Sequence, residues 1–240
     1  MNKVYLIPCI IDEKAFHTIP AYITNAVKDC QVFFVENERT ARRYLKQLWK
    51  VYLPGQEVII DNYEWFAIHK AEQEVRTVFK QKLKEEKTIG IISEAGCPGI
   101  ADPGQLLIQA AQEMNVEIKP LVGPSSILLA LMASGMNGQQ FQFVGYLPID
   151  NQQRSKSVKD LETESKKKNC TQLFIETPYR NNQLIEVLLK TCQPSTRLCI
   201  AVDITGEKEW IKTKTIDEWR RQKPDIHKRP SIFILYAGVN

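Results

Sequence analysis

The chain has 240 residues, 43% hydrophobic and 25% charged, a globular composition long enough to bury a core without disulfides or metals. Its net charge of +4 permits contact with a polyanion but falls short of the basic stripe of a dedicated nucleic-acid-binding domain. The six cysteines form no CxxC pair, the three histidines stand far apart, and no run reaches the ~18 apolar residues of a membrane span, which argues against a disulfide scaffold, a zinc site and a membrane protein. The first apolar run, MNKVYLIPCII, is short for a signal peptide and ends at Asp12 and Glu13. The expectation is a cytoplasmic protein.

In chain order, strand-like runs recur at 4–10, 31–36, 57–61, 88–93 and 116–122. Helical spacing fills 15–29, 38–49, 69–87 and 104–114 between them. This alternation predicts an α/β unit with a mainly parallel sheet, and near-continuous apolar strands predict a sheet covered on both faces. The second half has another texture. A Gly-Pro turn opens an apolar helix over 123–135, followed by a strand at 141–147, a charged helix at 154–168 and a strand at 171–176. A helix at 181–192 then precedes strands at 197–205, 209–215 and 231–238. Strands outnumber helices here, so antiparallel pairing is expected. The boundary falls near Pro120–Pro124, giving domains 1–120 and 121–240 with a ligand expected in a cleft between them.

The stretch SEAGCPGIADPG, 93–104, joins an apolar strand to a helix and carries three glycines, two prolines and two carboxylates, Glu94 and Asp102. In a parallel α/β sheet ligands bind at this end of the strands. Glycines let a ligand approach the backbone and prolines stiffen the loop. Asp102-Pro103 reads as the cap and first turn of the next helix. Glu94 is either a solvated acid or a ligand-facing one. The loop is neither GxGxxG nor GxxxxGK[ST], which disfavours a nicotinamide cofactor or a nucleoside triphosphate.

Several segments in one order carry a resemblance. SEAGCPGIADPG resembles the SDAGTPxxSDPG loop of the tetrapyrrole (corrin/porphyrin) methylase superfamily, in particular its ribosomal RNA small-subunit methyltransferase I branch. VENERTARRYLKQL (35–48) is similar to that branch's AEDTRxTRxLL, VGPSSILLALMASGM (122–136) to PGPSAxxxALxxSGL, FQFVGYLP (141–148) to FxFxGFLP, and LFIETPYR (173–180) to F-Y-E-S/A-P-H-R. The resemblance implies two α/β/α domains, a homodimer, and S-adenosylmethionine as cofactor. Residues implied to hold the cofactor are Pro8, Glu94, Cys97, Gly123, Ser126, Ile127, Ile175, Ala201 and Ser231. It implies 2′-O-ribose methylation of ribosomal RNA, with no metal. The alternatives are a methyltransferase of the same fold with a tetrapyrrole or protein substrate, and a paralogue without catalysis.

The chain departs from the pattern in places. Pro8 is followed by Cys9-Ile10-Ile11-Asp12 where the family has Gly-Asn. The second acid of EDTR is Asn37, the Arg of RELTK is Val202, and the family's histidine is Tyr179. The RNA branch often carries a helical extension beyond the segment matching SIFILYAG. Methyl transfer needs the nucleophile in line with the S–CH₃ bond at ~3 Å, and a hydroxyl nucleophile also needs a proton acceptor or positive field. Glu36, Glu176 and Arg180 are the catalytic candidates. Arg39, Arg42 and Arg43, spaced i, i+3, i+4, share one helix face as RNA-phosphate contacts or as a solvated face.

Overall fold

The computed structural model describes residues 2–56, 58–68 and 72–238. The chain divides into two compact units, Met1–Ser125 and Ser126–Asn240.

In the first unit, short apolar segments become strands because both of their faces find cover. These are β1 (Lys3–Ile7), β2 (Val32–Val35), β3 (Glu64–Ala67), β4 (Ile89–Ile92) and β5 (Glu117–Pro120). They form one parallel sheet in the order β3-β2-β4-β1-β5. Helices α1 (Ile23–Asp29) and α2 (Glu38–Tyr52) cover one face, where Phe33, Val35 and Ile7 meet Ile23, Val27, Leu45 and Leu48. Helices α3 (Glu72–Lys84) and α4 (Gln105–Glu113) cover the other, where Val32, Phe34 and Ile91 meet Phe79, Leu83 and Leu107. Gly90 is required inside β4, since a Cβ there would lie 2.5 Å from the Phe33 ring. β1 and β4 are neighbours, yet the chain leaves β1 for one face and β4 for the other. Such a switch opens a crevice at the strands' carboxyl ends.

Some boundaries differ from expectation for identifiable reasons. The helix expected over 15–29 is a 3-10 turn at Phe16–Thr18 and then α1, because Pro20 cannot donate to a continuing helix. The strand expected at 57–61 is not a strand: Ile60–Asn62 forms a 3-10 turn, and β3 is the following EWFA, with Glu57 itself outside the described residues. Aromatic stacking selects that register, with Trp65 on Phe33 at 4.9 Å and Phe66 on Phe34 at 5.0 Å. Residues 69–71 of the expected third helix also lie outside the described residues.

The second unit contains α5 (Ser126–Ser134), β6 (Phe141–Tyr146), α6 (Asn151–Lys168), β7 (Thr171–Ile175), α7 (Asn181–Thr191), β8 (Arg197–Val202), β9 (Trp210–Thr215), α8 (Ile216–Arg221) and β10 (Ser231–Tyr236). Its sheet runs β6-β7-β10-β8-β9. Only β6 and β7 pair in parallel; β10 is antiparallel to both neighbours, and β9 to β8. Helices α6, α7 and α8 bury Val158, Leu184, Leu188 and Trp219 on one face. Helix α5 covers the other with Ala130 and Leu131. Helix α8 is not among the helices expected from sequence, although Thr215 and Glu218 form a capping box, each side chain satisfying the other's backbone N–H.

Candidate active site

In the first unit, four sequence-distant segments meet at the carboxyl ends of β1, β2 and β4. Cys9, just past β1, exchanges backbone hydrogen bonds with Gly96 (Cys9 N to Gly96 O, 2.8 Å; Gly96 N to Cys9 O, 3.2 Å). Tyr44 of α2 donates to the Pro8 carbonyl at 2.8 Å and holds that turn from behind. Gly123 lies so close that any Cβ would overlap the Pro8 ring. The Cys97 thiol is 3.6 Å from the Pro124 carbonyl, and Gly96 has φ +68 with Pro124 O 3.6 Å from where its Cβ would sit. Pro8 and Gly123 are thereby in direct contact, and the Cys97 thiol reaches the neighbouring Pro124 carbonyl.

The acidic groups of this edge are also linked. Glu36 follows β2, and its carboxylate accepts the Glu94 amide at 3.1 Å. Thr40 of α2 donates to the Glu94 carboxylate at 3.2 Å. Asp102 is not the cap expected for α4. The helix starts after Gly104, whose φ of +120 and lack of a side-chain cap leave Asp102 free of that role. Instead Asp102 is half-buried and hydrogen-bonded to Ser93. Burial, with Glu36 and Glu94 adding like charge, pushes its carboxyl up to about 6. Burial also pushes the Cys9 thiol up to about 12 and raises that of Cys97, so neither is a ready thiolate.

Asn37, standing where the family has its second acid, is the N-cap of α2 and accepts from Arg39 N at 3.0 Å and Thr40 N at 3.3 Å. The helix places the three arginines differently. Arg42 is drawn back onto its own unit by Glu38 (2.9 Å) and Asp61, with its guanidinium 5.5 Å from the Trp65 ring centroid. Arg39 and Arg43 are exposed and share the outer face of α2 with Lys46 and Lys50.

In the second unit, Glu176 and Arg180 come together just past β7. Glu176 is almost fully buried, and its Oε1 accepts from Arg180 Nε (2.9 Å), Arg180 Nη2 (2.7 Å) and Thr177 N (2.6 Å). The third member is Arg154 of α6, equally buried, with Nη2 3.7 Å from Glu176 Oε2 and bonds to the Pro148 and Ile149 carbonyls, both 2.8 Å. The charged helix expected at 154–168 singles out no residue as buried, so Arg154 is not among the candidates from sequence. Its signal was spacing: Arg154, Val158, Leu161 and Ser165 form the buried stripe of that helix. Ile127, Ile175 and Ala201 share the apolar cluster beneath α5, whose first residue is Ser126. Ser231 opens β10, donates to the Arg229 carbonyl at 2.9 Å and accepts from Asn181 Nδ2 at 3.2 Å. Asn181 Oδ1 and Thr205 Oγ1 are buried without a hydrogen-bond partner among the described residues, and Thr205 has φ +71, a strained value for a β-branched residue. Among the described residues no group of His, Cys, Asp and Glu side chains is placed to hold a metal ion, and no helix is long and apolar enough to cross a membrane.

Comparison with known proteins follows the same lines. The family model described as Tetrapyrrole (Corrin/Porphyrin) Methylases matches residues 19–219. A curated relative, "Ribosomal RNA small subunit methyltransferase I" of Buchnera aphidicola subsp. Schizaphis graminum, is 33% identical over 160 residues, covering 65% of this chain and 55% of the relative. The chain thus spans a little over half of that relative's length. Among solved structures, the methyltransferase CobJ superposes with a TM-score of 0.64 at 15% identity, covering 98% of this chain and 94% of the other. Uroporphyrin-III C-methyl transferase from Thermus thermophilus, complexed with S-adenyl homocysteine, gives 0.56 at 13%, covering 98% and 97%. At such identities these two structures speak for the fold alone. The match over residues 19–219, on a chain whose Gly/Pro loop, Pro8 turn and Gly123 segment converge at one strand edge, makes this protein a member of the tetrapyrrole methylase family.

Proposed function

We propose that this chain is an S-adenosylmethionine-dependent methyltransferase acting on ribosomal RNA at a ribose 2′-oxygen. The observation that carries the reading is the meeting of Pro8, Gly96–Cys97 and Gly123 at the carboxyl edge of the first sheet, in a chain of this family. The likeness to the ribosomal RNA methyltransferase I of Buchnera supports the substrate.

The residues present suit the cofactor. Gly96 brings backbone without a Cβ to the edge, and Glu94 is an exposed acceptor beside it. Pro8, Glu94, Cys97 and Gly123 would hold it at the edge of the first unit's sheet. It would supply an activated methyl group on a sulfonium. The chain's own part is to orient the ribose, exclude water and accept one proton. Glu36 is the proton acceptor in this reading, because it stands at the strand edge beside Asp102. Glu176 has three donors on Oε1, so it and Arg180 act as a positioning unit. Arg39 and Arg43 contact phosphates, while Arg42 braces the helix.

Titration calorimetry with S-adenosylmethionine, followed by labelled methyl transfer to small ribosomal subunits lacking the modification, tests this. Micromolar binding and RNA labelling are expected. Labelling of a tetrapyrrole or protein alone would replace the substrate, and failure to bind at millimolar cofactor would remove the activity. Arg39→Glu with Arg43→Glu should weaken RNA binding and flatten its dependence on salt.

A further inference from the structure

The second unit has an exposed aromatic ring that packs into no core. Tyr179, in the 3-10 turn Pro178–Arg180 just past β7, is 67% exposed. Its ring neighbours are polar: the Lys228 ammonium 5.7 Å from the centroid, and the His227 imidazole edge-on at 6.2 Å. The platform is held in place. Arg180, the next residue, is locked by the buried Glu176, and the Lys228 amide donates to the Pro178 carbonyl at 3.0 Å. Lys228 itself has φ +62, so the loop bends to bring its side chain over the ring.

Asp203 is taken by Arg229 at 2.8 Å, Asp225 by Asn182 at 2.8 Å, and Glu209 accepts the Thr205 amide at 2.7 Å. Neither Lys228 nor Lys208 has an ion pair among the described residues. A separate hollow of about 540 Å³ is lined by Lys208, Trp210, Ile226 and Arg229 together with the carboxylates of Glu209 and Asp225. A solvent-facing aromatic beside an ammonium group without an ion pair is an arrangement that binds single-stranded nucleic acid: a base stacks on the ring and a neighbouring phosphate meets the cation. A tyrosine is well suited, having two side-chain torsions to immobilise. A folded RNA helix keeps its base faces covered, so only an unpaired nucleotide can use the ring.

We propose that Tyr179 is the stacking platform for an unpaired base of the RNA substrate, with Lys228 neutralising a flanking phosphate. This rests on the RNA reading above and narrows it to a single-stranded or extruded target. It also gives a reason for tyrosine at a position where the family has histidine, since the larger ring offers more stacking surface.

Fluorescence anisotropy with a short, labelled single-stranded ribo-oligonucleotide and its duplex tests the idea, with S-adenosylhomocysteine binding and thermal melting as controls. Tyr179→Ala should weaken single-strand binding about 5- to 100-fold while leaving duplex binding, the salt slope, cofactor binding and the melt unchanged. Tyr179→Trp should preserve it. Lys228→Ala should lower the salt slope by about one. If the wild-type chain binds the single strand and Tyr179→Ala binds it equally well, the platform is wrong and the RNA reading stands. If the wild type binds cofactor but no RNA in either form, both fall together.

Discussion

The two units place carboxylates at corresponding spots, the carboxyl ends of parallel strands, with opposite electrostatics. In the first unit Glu36, Glu94 and Asp102 are like charges with only hydroxyl and amide donors between them, and Asp102 answers by holding its proton up to about 6. In the second, Glu176 lies between two guanidiniums and is buried with one of them, that of Arg154. A strand end therefore makes an acid available or consumes it, according to what the covering helices supply. Helix α2 brings Thr40 to its carboxylate, whereas α6 brings Arg154.

The largest expected effect breaks the second arrangement. Glu176→Leu leaves Arg154 buried without a counter-charge, and urea denaturation should show a loss of about 3–5 kcal/mol. The double variant Arg154→Met with Glu176→Leu should recover most of it. If it does not, packing rather than charge pairing explains the burial. Next, Gly123→Ala should cost about 1–3 kcal/mol through overlap with Pro8. It should also weaken cofactor binding more than it lowers stability.

Asn37→Ala, which removes the α2 cap, should cost about 1 kcal/mol, and Asn37→Asp should not. The acidic edge predicts a smaller effect that depends on pH. The Asp102 carboxyl is raised in the folded state, so its contribution is favourable below the unfolded value near 3.8 and is lost as pH rises through about 6. Asp102→Asn should therefore stabilise the protein above pH 7 by roughly 0.5–1 kcal/mol, discounted for partial exposure, and the gain should vanish near pH 4. A gain that is flat with pH would mean that Asp102 does not titrate against Glu36. Last, the exposed Arg221–Asp217 pair on α8 should be worth less than about 0.5 kcal/mol to either partner.

Much of the frame was legible before any coordinates. Short apolar runs such as 32–35 and 89–92 read as buried strands, and the strand-rich texture expected after residue 123 pointed to the antiparallel pairs that the second sheet has, although each unit holds four α-helices among the described residues. Family motifs in order also named the segments that meet at the first sheet's edge. Pro20 was visible, and weighing its missing donor would have shortened the first helix. The strand at 64–67 was harder, because EWFA has no apolar alternation and is chosen by stacking on Phe33 and Phe34.

Sequence by itself determined local matters: which runs are strands or helices, where glycine or proline is obligatory, and which family the segments resemble. Only the tertiary structure decided which side chains are used up and which remain free. Arg42 turns inward to Glu38 and Asp61 while Arg39, three residues earlier, stays exposed, and Asp102 leaves the cap role for a carboxylate cluster. Charge pairing and desolvation depend on distances between residues far apart in the chain, here 22 positions between Arg154 and Glu176 and 66 between Glu36 and Asp102. No spacing rule carries that information, because it is set when helices and strands pack.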